Sequence, residues 1–443
     1  MPASGSVAVR VGSGTTNSPI QHIVLVIQEN RSFNNFFATF PGATGSTTAL
    51  QTGHGIKHRV TKVTLREVPL IGDANPNHSY GAFITAYDSG KMDRFNLIKS
   101  YKGDHREGMV PYRYVDPSQI TPYWTMASQY GLANAMFQTQ GSESFTAHQD
   151  LIRGGTEVNS SESLIDNPVH AGKIWGCDSS AGTVTNLITT GLVIERGLGP
   201  FPCTTSFPTS DNGYLTLRDL LDAKNVSWKY YTPEIGVGGG IWNAFDVIAS
   251  VRYGSEWGTN VNWPPTNIFS DISSGSLAAM SWVVPDGADS DHPGNKSDTG
   301  PSWVASIVNA IGESQYWNST AVIVVWDDWG GFYDPVPPPL PRDAQGGPGF
   351  RVPMIVISPY ARETSASHPG YISNTFYVFG SIVQFVEDTF ALGSLGTGDS
   401  TANSMLDMFD FTQPPRPFGA ITTKYSKAYF LRRGPTHTPV DTD

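Results

Sequence analysis

The chain contains few cysteines and few charged residues, and it has neither a long hydrophobic run nor a basic cluster. Only 15% of its 443 residues are charged, and the formal net charge is −11. Because there is no run of about 18 apolar residues, no transmembrane segment is predicted. Because an acidic chain without a basic cluster has nothing to attract phosphate backbones, nucleic acid is not expected as a partner.

The two cysteines, Cys177 and Cys203, flank a polar, glycine-rich stretch. An even pair in such a setting predicts one disulfide and an exported protein, secreted or periplasmic, although no signal peptide is recognisable. Two unpaired thiols are the alternative. The 46 glycines and 32 prolines predict many long loops, and the 12% of aromatic residues indicates a globular protein with a substantial core.

Predicted strands alternate with predicted helices along most of the chain. The clearest strands are Ile23–Ile27, Ala321–Trp326 and Val352–Ser358. This alternation is typical of an α/β fold with a parallel, doubly wound sheet. We expect a flexible tail over residues 1–18, a single domain over 19–425 and a C-terminal tail over 426–443. Residues 156–212 read as irregular, and residues 156–260 are expected to form part of a lid or rim.

Two buried strands far apart in sequence both end in acidic or amide pairs. One ends in Glu29 and Asn30, and the other in Asp327 and Asp328. A parallel sheet would bring these four oxygen-bearing side chains to one edge, where they would suit a hard divalent cation. Adjacent carboxylates repel one another unless a cation lies between them. A turn or helix cap is the alternative, but the glycines at 330 and 331 favour a close backbone approach.

Ser144 is the candidate nucleophile because it is predicted to begin a helix. Free N–H groups and the dipole at a helix N-terminus stabilise anions, and a metal at the same edge would lower the pKa of the hydroxyl. An ordinary N-cap serine is the alternative. His78 and His292 could contact a phosphoryl oxygen or protonate a leaving group. His148, one turn into the Ser144 helix, is assigned to the core or to the surroundings of the site.

Several blocks of sequence, between about residue 20 and residue 418, resemble motifs of the bacterial phosphoesterase family. That family contains phospholipases C and acid phosphatases and lies within the alkaline phosphatase superfamily. The blocks are Glu29-Asn30-Arg31-Ser32-Phe33, His78-Ser79-Tyr80 with Gly90-Lys91-Met92-Asp93, Ser144-Phe145-Thr146-Ala147-His148-Gln149, Trp228-Lys229-Tyr230-Tyr231, Ser290-Asp291-His292-Pro293, the stretch from Trp326 to Asp334, and Pro414-Pro415-Arg416-Pro417-Phe418. The resemblance is specific because so many blocks occur in the family's order.

The resemblance implies an alkaline-phosphatase-like α/β/α sandwich with a mostly parallel central sheet and a loop-rich lid. It also implies one divalent metal ion, Ca²⁺, Mg²⁺ or Mn²⁺, with Zn²⁺ not excluded. The expected metal ligands are Glu29, Asn30, Ser144, Asp327 and Asp328. Ser144 would form a phosphoseryl intermediate, and His78 and His292 would hold the phosphate or help the leaving group. Asp291 and Asn374 are the expected substrate-binding residues.

The chain departs from the family pattern at three positions. Pro335 and Asn374 stand where many members have histidine, and Glu143 replaces part of the usual Gly-Pro before the nucleophile. Asparagine can donate a hydrogen bond to phosphate but cannot act as an acid, and nearby His368 is a candidate substitute. These departures bear on rate, pH optimum and substrate more than on fold.

The expected function is therefore hydrolysis of phosphate esters, either phospholipase C-type diesters or monoesters. A metal-independent serine esterase using Ser144 and a histidine is one alternative. A catalytically weak relative that binds phosphate or lipid is the other, suggested by Asn374 and Pro335. Transient contact with lipid surfaces is compatible with either ester class, and the sequence leaves the oligomeric state open.

Overall fold

The structure is a computed structural model, and it describes residues 18–53, 59–101, 103, 105–169, 174–199, 203, 214–339, 347–365 and 370–436. Its strands are β1 (His22–Gln28), β2 (Thr48–Thr52), β3 (Val60–Thr64), β4 (Arg66–Val68), β5 (Arg113–Val115), β6 (Gly131–Ala133), β7 (Glu157–Asn159), β8 (Glu162–Val169), β9 (Val184–Thr189), β10 (Ile194–Gly199), β11 (Trp228–Tyr231), β12 (Val261–Asn262), β13 (Met280–Val283), β14 (Thr320–Trp326), β15 (Met354–Ile357) and β16 (Tyr371–Ser373). Its α-helices are α1 (Phe33–Phe37), α2 (Tyr80–Tyr87), α3 (Thr121–Gln129), α4 (Ser144–Arg153), α5 (Leu217–Ala223), α6 (Ala249–Arg252), α7 (Asn267–Ser274), α8 (Gly300–Gly312), α9 (Phe379–Phe390) and α10 (Lys427–Arg432).

The main sheet has eight strands in the order β12-β11-β13-β1-β14-β15-β6-β16. Every described pairing in it is parallel except those of β15, which runs antiparallel to both of its neighbours. The two strongest strands of the sequence, β1 and β14, pair with each other in the middle. Both are almost wholly buried, which explains their continuous β-branched composition. The predicted mostly parallel sheet is confirmed.

Helices cover both faces of this sheet. Leu25 of β1 stands opposite Trp282 of β13, whereas Gln28, three residues later, stands opposite Trp326 of β14. Because side chains alternate along a strand, the two tryptophans point to opposite faces. The Trp282 indole donates a hydrogen bond to a backbone carbonyl of α4 at 3.2 Å, and Trp326 packs edge-on against Tyr123 of α3 at 4.8 Å. The fold is therefore an α/β/α sandwich.

The stretch expected to be irregular, residues 156–212, contains a second sheet. Four antiparallel strands lie in the order β10-β9-β8-β7. The pairings carry register shifts, and several strand residues are polar or glycine, so no clean alternation marked them in the sequence. The predicted disulfide between Cys177 and Cys203 is confirmed and connects residues 26 apart in this region.

The two predicted tails fall partly outside the described residues, and only the C-terminal one can be compared with the structure. Residues 1–17 of the N-terminal tail and 437–443 of the C-terminal tail lie outside the described residues. Residues 426–436 are not a free tail, because α10 buries Phe430 against the core and Arg433 forms an ion pair with Asp289. In the described portion of the chain, no helix is both long and apolar enough to cross a bilayer.

Candidate active site

The carboxyl ends of β1 and β14 converge, as the sequence predicts, and their end residues bond to each other. The backbone N–H of Asn30 donates to Oδ1 of Asp327 at 2.9 Å. Asn30 adopts a left-handed backbone (φ 48°), and a Cβ on Gly330 would lie 2.0 Å from the Asn30 carbonyl oxygen. This close approach explains why glycine follows the acidic pair.

Ser144 begins α4 and directs its hydroxyl into the same cluster. Its Oγ donates to Oδ2 of Asp328 at 3.0 Å and accepts from Nδ2 of Asn30 at 3.0 Å. The same Asn30 nitrogen also lies 3.0 Å from Oδ2 of Asp328. All three side chains are buried, at 2% exposure or less. The structure therefore brings together the amide, the hydroxyl and one carboxylate that the sequence singles out.

His78 lies on the other side of Asn30. Its Nδ1 is 2.9 Å from the Pro76 carbonyl oxygen, which can only accept, so Nδ1 carries the proton in the neutral ring. Its Nε2 then accepts from Nδ2 of Asn30 at 3.1 Å and lies 3.6 Å from Oδ2 of Asp328. This places the basic nitrogen of His78 within the cluster.

Glu29 and Asp327 form a buried acidic part of the site. Burial and neighbouring carboxylates raise the pKa of both well above the ordinary value. One oxygen of each, together with Oδ1 of Asn30, is buried without a hydrogen-bond partner. Among the described residues, the basic side chains within 4.0 Å of the carboxylates of Glu29, Asp327 and Asp328 are those of His78 and His148. Such groups require either a shared proton or a cation.

His148 completes this part of the cluster, although the sequence assigned it only to the core or the surroundings. Its Nε2 lies 3.0 Å from Oε1 of Glu29 and 3.8 Å from Oδ2 of Asp327. Donor atoms of these three residues lie within 4.8 Å of one another, a spacing that suits a metal ion. Burial lowers the pKa of His148 to about 4, so the ring is neutral and able to ligate. Its position four residues after Ser144, on the same helical face, is the signal that could have identified it.

His292 is connected to the cluster through Trp242. The indole of Trp242 lies nearly parallel to the His148 ring at 6.5 Å and to the His292 ring at 5.9 Å. Nδ1 of His292 donates to the Pro293 carbonyl at 2.7 Å, which makes Nε2 the basic nitrogen. Asp291 directs its carboxylate to the Tyr123 hydroxyl at 2.7 Å, and burial raises its pKa to about 7. The carboxylate of Asp291 is thus held by a side chain of α3, the helix that contains Tyr123.

Asn374 lies at the same edge of the sheet but away from the cluster. It follows β16, three strands beyond β14, is exposed, and accepts a hydrogen bond from Asn134 at 2.7 Å. Pro335 is half-buried and follows Asp334, which pairs with Arg351. His368, the candidate substitute, lies outside the described residues.

Glu143, the third departure from the family pattern, is built into the wall of the site. Its carboxylate accepts from the Tyr101 hydroxyl at 2.6 Å and from the Asn167 backbone N–H at 2.7 Å. The Tyr101 oxygen in turn accepts from the backbone N–H of His78 at 3.2 Å. Burial and the Glu143 charge raise the pKa of Tyr101 well above its ordinary value, so the phenol stays protonated. No local pattern in the sequence marked Tyr101, because its contacts are with residues 23 and 42 positions away.

A buried group of carboxylates, an amide, a serine and histidines at the carboxyl edge of an α/β sheet is typical of a metal-assisted hydrolase. The model of the Phosphoesterase family matches residues 20–393. The chain belongs to that family.

Two curated relatives are phospholipases C. The chain is 25% identical to phospholipase C A of Mycobacterium tuberculosis, over 89% of this chain and 78% of that protein. It is 23% identical to the non-hemolytic phospholipase C of Burkholderia pseudomallei, over 84% of this chain but only 55% of that protein, so it spans about half of that relative's length. A solved protein of the alkaline phosphatase superfamily from Vibrio parahaemolyticus aligns over 88% of this chain and 72% of its own, at 11% identity and a TM-score of 0.37.

Proposed function

We propose that this chain is an exported, metal-dependent phosphoesterase that works through a phosphoseryl intermediate on Ser144. The observation that carries the proposal is the buried oxygen cluster around Ser144, in which Glu29, Asn30 and Asp327 each have an oxygen without a hydrogen-bond partner. Membership of the Phosphoesterase family supports the same class of reaction. The disulfide Cys177–Cys203 supports an oxidising compartment, secreted or periplasmic.

The residues present fit one divalent cation. Glu29, Asn30, Asp327, Asp328 and Ser144 would supply oxygen ligands, the set that Ca²⁺, Mg²⁺ or Mn²⁺ prefers. A sixth side chain, His148, lies close enough to serve as a ligand or to orient Glu29, and an imidazole ligand would favour Zn²⁺ or Mn²⁺. When bound, the cation would polarise a phosphoryl oxygen and lower the pKa of the Ser144 hydroxyl.

The chain's own groups are arranged for attack by Ser144. Its hydroxyl already donates to Asp328, which would take the proton as Oγ attacks phosphorus. The bond from phosphorus to the ester oxygen breaks, and His78 or His292, protonated on Nε2, would give that proton to the departing alcohol. Water then attacks the phosphoserine and gives a proton to the same histidine, the bond to Oγ breaks, and Ser144 regains its proton from Asp328 as the phosphate or phosphomonoester leaves. Ser144 is the first residue of α4, so the helix dipole would favour the negative charge that develops beside its hydroxyl.

The test compares hydrolysis of p-nitrophenyl phosphate and p-nitrophenyl phosphorylcholine by wild type, Ser144→Ala and the surface control Ser128→Ala. Each is assayed with chelator and after adding back Ca²⁺, Mg²⁺, Mn²⁺ or Zn²⁺. We expect wild type and the control to be active only with metal, and Ser144→Ala to lose at least about a thousandfold in rate. Mass spectrometry of acid-quenched wild type should find phosphate on Ser144.

Three results would contradict the proposal in different ways. Activity that survives chelator and is stopped by a fluorophosphonate would indicate a metal-independent serine esterase. Inactivity of wild type on both substrates with every metal would indicate a relative that only binds phosphate or lipid. Full activity of Ser144→Ala would exclude this nucleophile. The preferred substrate separates a monoesterase from a phospholipase C-type diesterase.

A further inference from the structure

A cavity of about 160 Å³ lies beside the blocks that build the site but is not part of it. Arg31 and Gly294 line the cavity. They lie close in sequence to the site residues Asn30 and His292, which are not part of the lining. The rest of the wall comes from β4, the loop after it, Arg113 of β5 and Phe332. Its lining includes three arginines and no acidic residue, in a protein whose net charge is −11.

The pairing of β4 with β5 places two of these arginines on one face. Arg66 stands directly opposite Arg113, and Glu67 stands opposite Tyr114. Because side chains alternate, Glu67 points away from the cavity, where it bonds to Tyr114. Like charges directly opposite each other destabilise a strand pair. Burial and the charge of Arg66 accordingly lower the pKa of Arg113.

No carboxylate neutralises these two guanidinium groups. Among the described residues, neither Arg66 nor Arg113 has an ion-pair partner. Asp73, which lies between the lining residues Gly72 and Ala74, pairs with Lys296 instead. Arg66 is exposed and Arg113 is half-buried, and no carboxylate of the described residues pairs with either, an arrangement that suits an external anion.

Arg31 forms the fixed wall of the cavity. It is 5% exposed, and its Nε donates to the Asp291 backbone carbonyl at 2.7 Å. A second bond runs to Oδ1 of Asn35 at 3.1 Å, and the guanidinium lies 5.3 Å from the Phe332 ring. These bonds go to uncharged oxygen atoms and hold the guanidinium in place, while the charge of the buried Asp291 carboxylate favours its cationic form. Arg31 thus presents a pre-positioned positive charge beside two unpaired ones.

We propose that this cavity is an oxyanion-binding site for a single phosphate-type group, separate from the phosphoryl group at Ser144. Guanidinium groups bind phosphate and sulfate oxygens with paired, charge-assisted hydrogen bonds. The cavity of about 160 Å³ has room for one such group. The group is carried either by a free oxyanion or by the head group of an anionic phospholipid, whose remainder would extend past the exposed Ile71.

The test titrates chelator-treated protein with sodium sulfate by calorimetry, at low ionic strength. The variant Arg66→Gln/Arg113→Gln removes the two unpaired cations, and Lys62→Gln/Arg432→Gln is the matched control that removes two exposed cations elsewhere. We expect the pocket variant to bind sulfate at least tenfold more weakly than wild type and the control to bind within twofold. Equal binding by the pocket variant and wild type, or no saturable binding by wild type, would overturn the proposal. Thermal unfolding checks that each variant is folded.

Two short-chain lipids, dihexanoylphosphatidic acid and dihexanoylphosphatidylcholine, separate the two sources of the group. Tighter binding of the phosphatidic acid than of sulfate, lost in Arg66→Gln/Arg113→Gln, would identify a lipid head group. Sulfate binding without that gain would identify a free oxyanion. Phosphatidylcholine should not compete in either case, and competition by it equal to that of phosphatidic acid would contradict recognition by charge. Because no turnover is measured, the outcome is independent of whether Ser144 is the nucleophile.

Discussion

Two sets of buried charges in this molecule differ in whether their hydrogen bonds and ion pairs are complete. Asp334 and Arg351 are both buried and meet in a two-bond ion pair at 2.9 and 3.0 Å. Backbone groups complete it, because Arg351 donates to two carbonyls and Asp334 accepts from two N–H groups. Around Ser144, three carboxylates are buried together with only histidines as ion-pair partners among the described residues.

The difference separates charges that maintain the fold from charges kept for a ligand. A buried pair whose hydrogen bonds are complete needs nothing further. A buried set with unpaired oxygens costs stability unless a ligand compensates it, so its persistence indicates a function. The cavity of Arg31, Arg66 and Arg113 gathers positive charge, but of its three arginines only Arg31 is buried.

The largest effect is expected from Arg351→Ala, which would convert the complete pair into an uncompensated one. Removing one partner of a buried ion pair costs about 3–5 kcal/mol, so we expect a large loss in the free energy of unfolding, measured with denaturant. Lys424→Ala, which breaks an exposed pair with Asp298, is the control and should change the free energy of unfolding far less than Arg351→Ala does. Similar losses in the two variants would remove the distinction between structural and exposed charge pairs.

A second prediction concerns the pH dependence of stability in chelator. Burial, and then the charge of Glu143, raises the pKa of Asp328 to about 8. A carboxyl with a raised pKa favours the folded state while protonated, so its contribution is largest below the unfolded value near 4 and is lost as pH rises to about 8. We expect wild type to lose up to about 1.4 kcal/mol per pH unit more than Asp328→Asn across this range. Parallel profiles for the two proteins would show that Asp328 is not held neutral by burial.

The same measurement with metal added tests the comparison between the Ser144 cluster and the Asp334–Arg351 pair. Addition of a binding metal should flatten the wild-type profile, because the cation replaces the protons that the cluster otherwise needs. The Asp334–Arg351 pair should contribute no corresponding metal dependence, since its charges are already balanced.

The third prediction concerns Tyr101, which connects Glu143 to the backbone of His78. Tyr101→Phe removes this bridge and leaves the ring in place beside His78. Because positioning contacts of this kind affect metal-site function about tenfold or more, we expect kcat to fall about tenfold with KM changed less than twofold. Tyr112→Phe is the control, since the bonds of that hydroxyl to described residues are long, at 3.4 Å, and lie away from the site.

Glu143→Gln refines the interpretation of Tyr101. The glutamine keeps an oxygen that can accept from Tyr101, so it should retain more activity than Tyr101→Phe if position, rather than charge, is what Glu143 provides. If both variants lower the free energy of unfolding and leave kcat unchanged, the hydrogen bonds of Tyr101 to Glu143 and to the His78 backbone serve folding alone.

The sequence predicted the parts of the fold and site that depend on short patterns. The runs in β1 and β14 identified two buried strands, and their acidic ends located the cluster. Ser144 was found because it begins a helix. The antiparallel direction of β15 was missed, because hydrophobicity does not encode strand direction.

Residues that reach the site over long distances were missed for a related reason. Tyr101 comes from a loop, and Trp242 from a short 3₁₀ turn over Gly240–Trp242, and neither has a local motif. The β7–β10 sheet was read as irregular because bulges interrupt its alternation. Only tertiary packing brings such residues to the site. Site residues at strand ends and helix starts can therefore be predicted from sequence better than those that come from loops and turns.

The smallest effect is expected at Asn374, the position where many family members have histidine. Asn374 is exposed, and its described bond goes to Asn134 rather than to Ser144 or Asp328. Asn374→His should therefore change kcat/KM for p-nitrophenyl phosphate less than twofold, whereas a residue acting as a proton donor would change both rate and pH profile. A gain of tenfold or more, with a new ionisation near the histidine pKa, would show that substrate reaches the edge of β16. That result would extend the active site to β16, three strands from the Ser144 cluster. The histidine missing at position 374, rather than the buried carboxylates of the cluster, would then be the main feature of this chain.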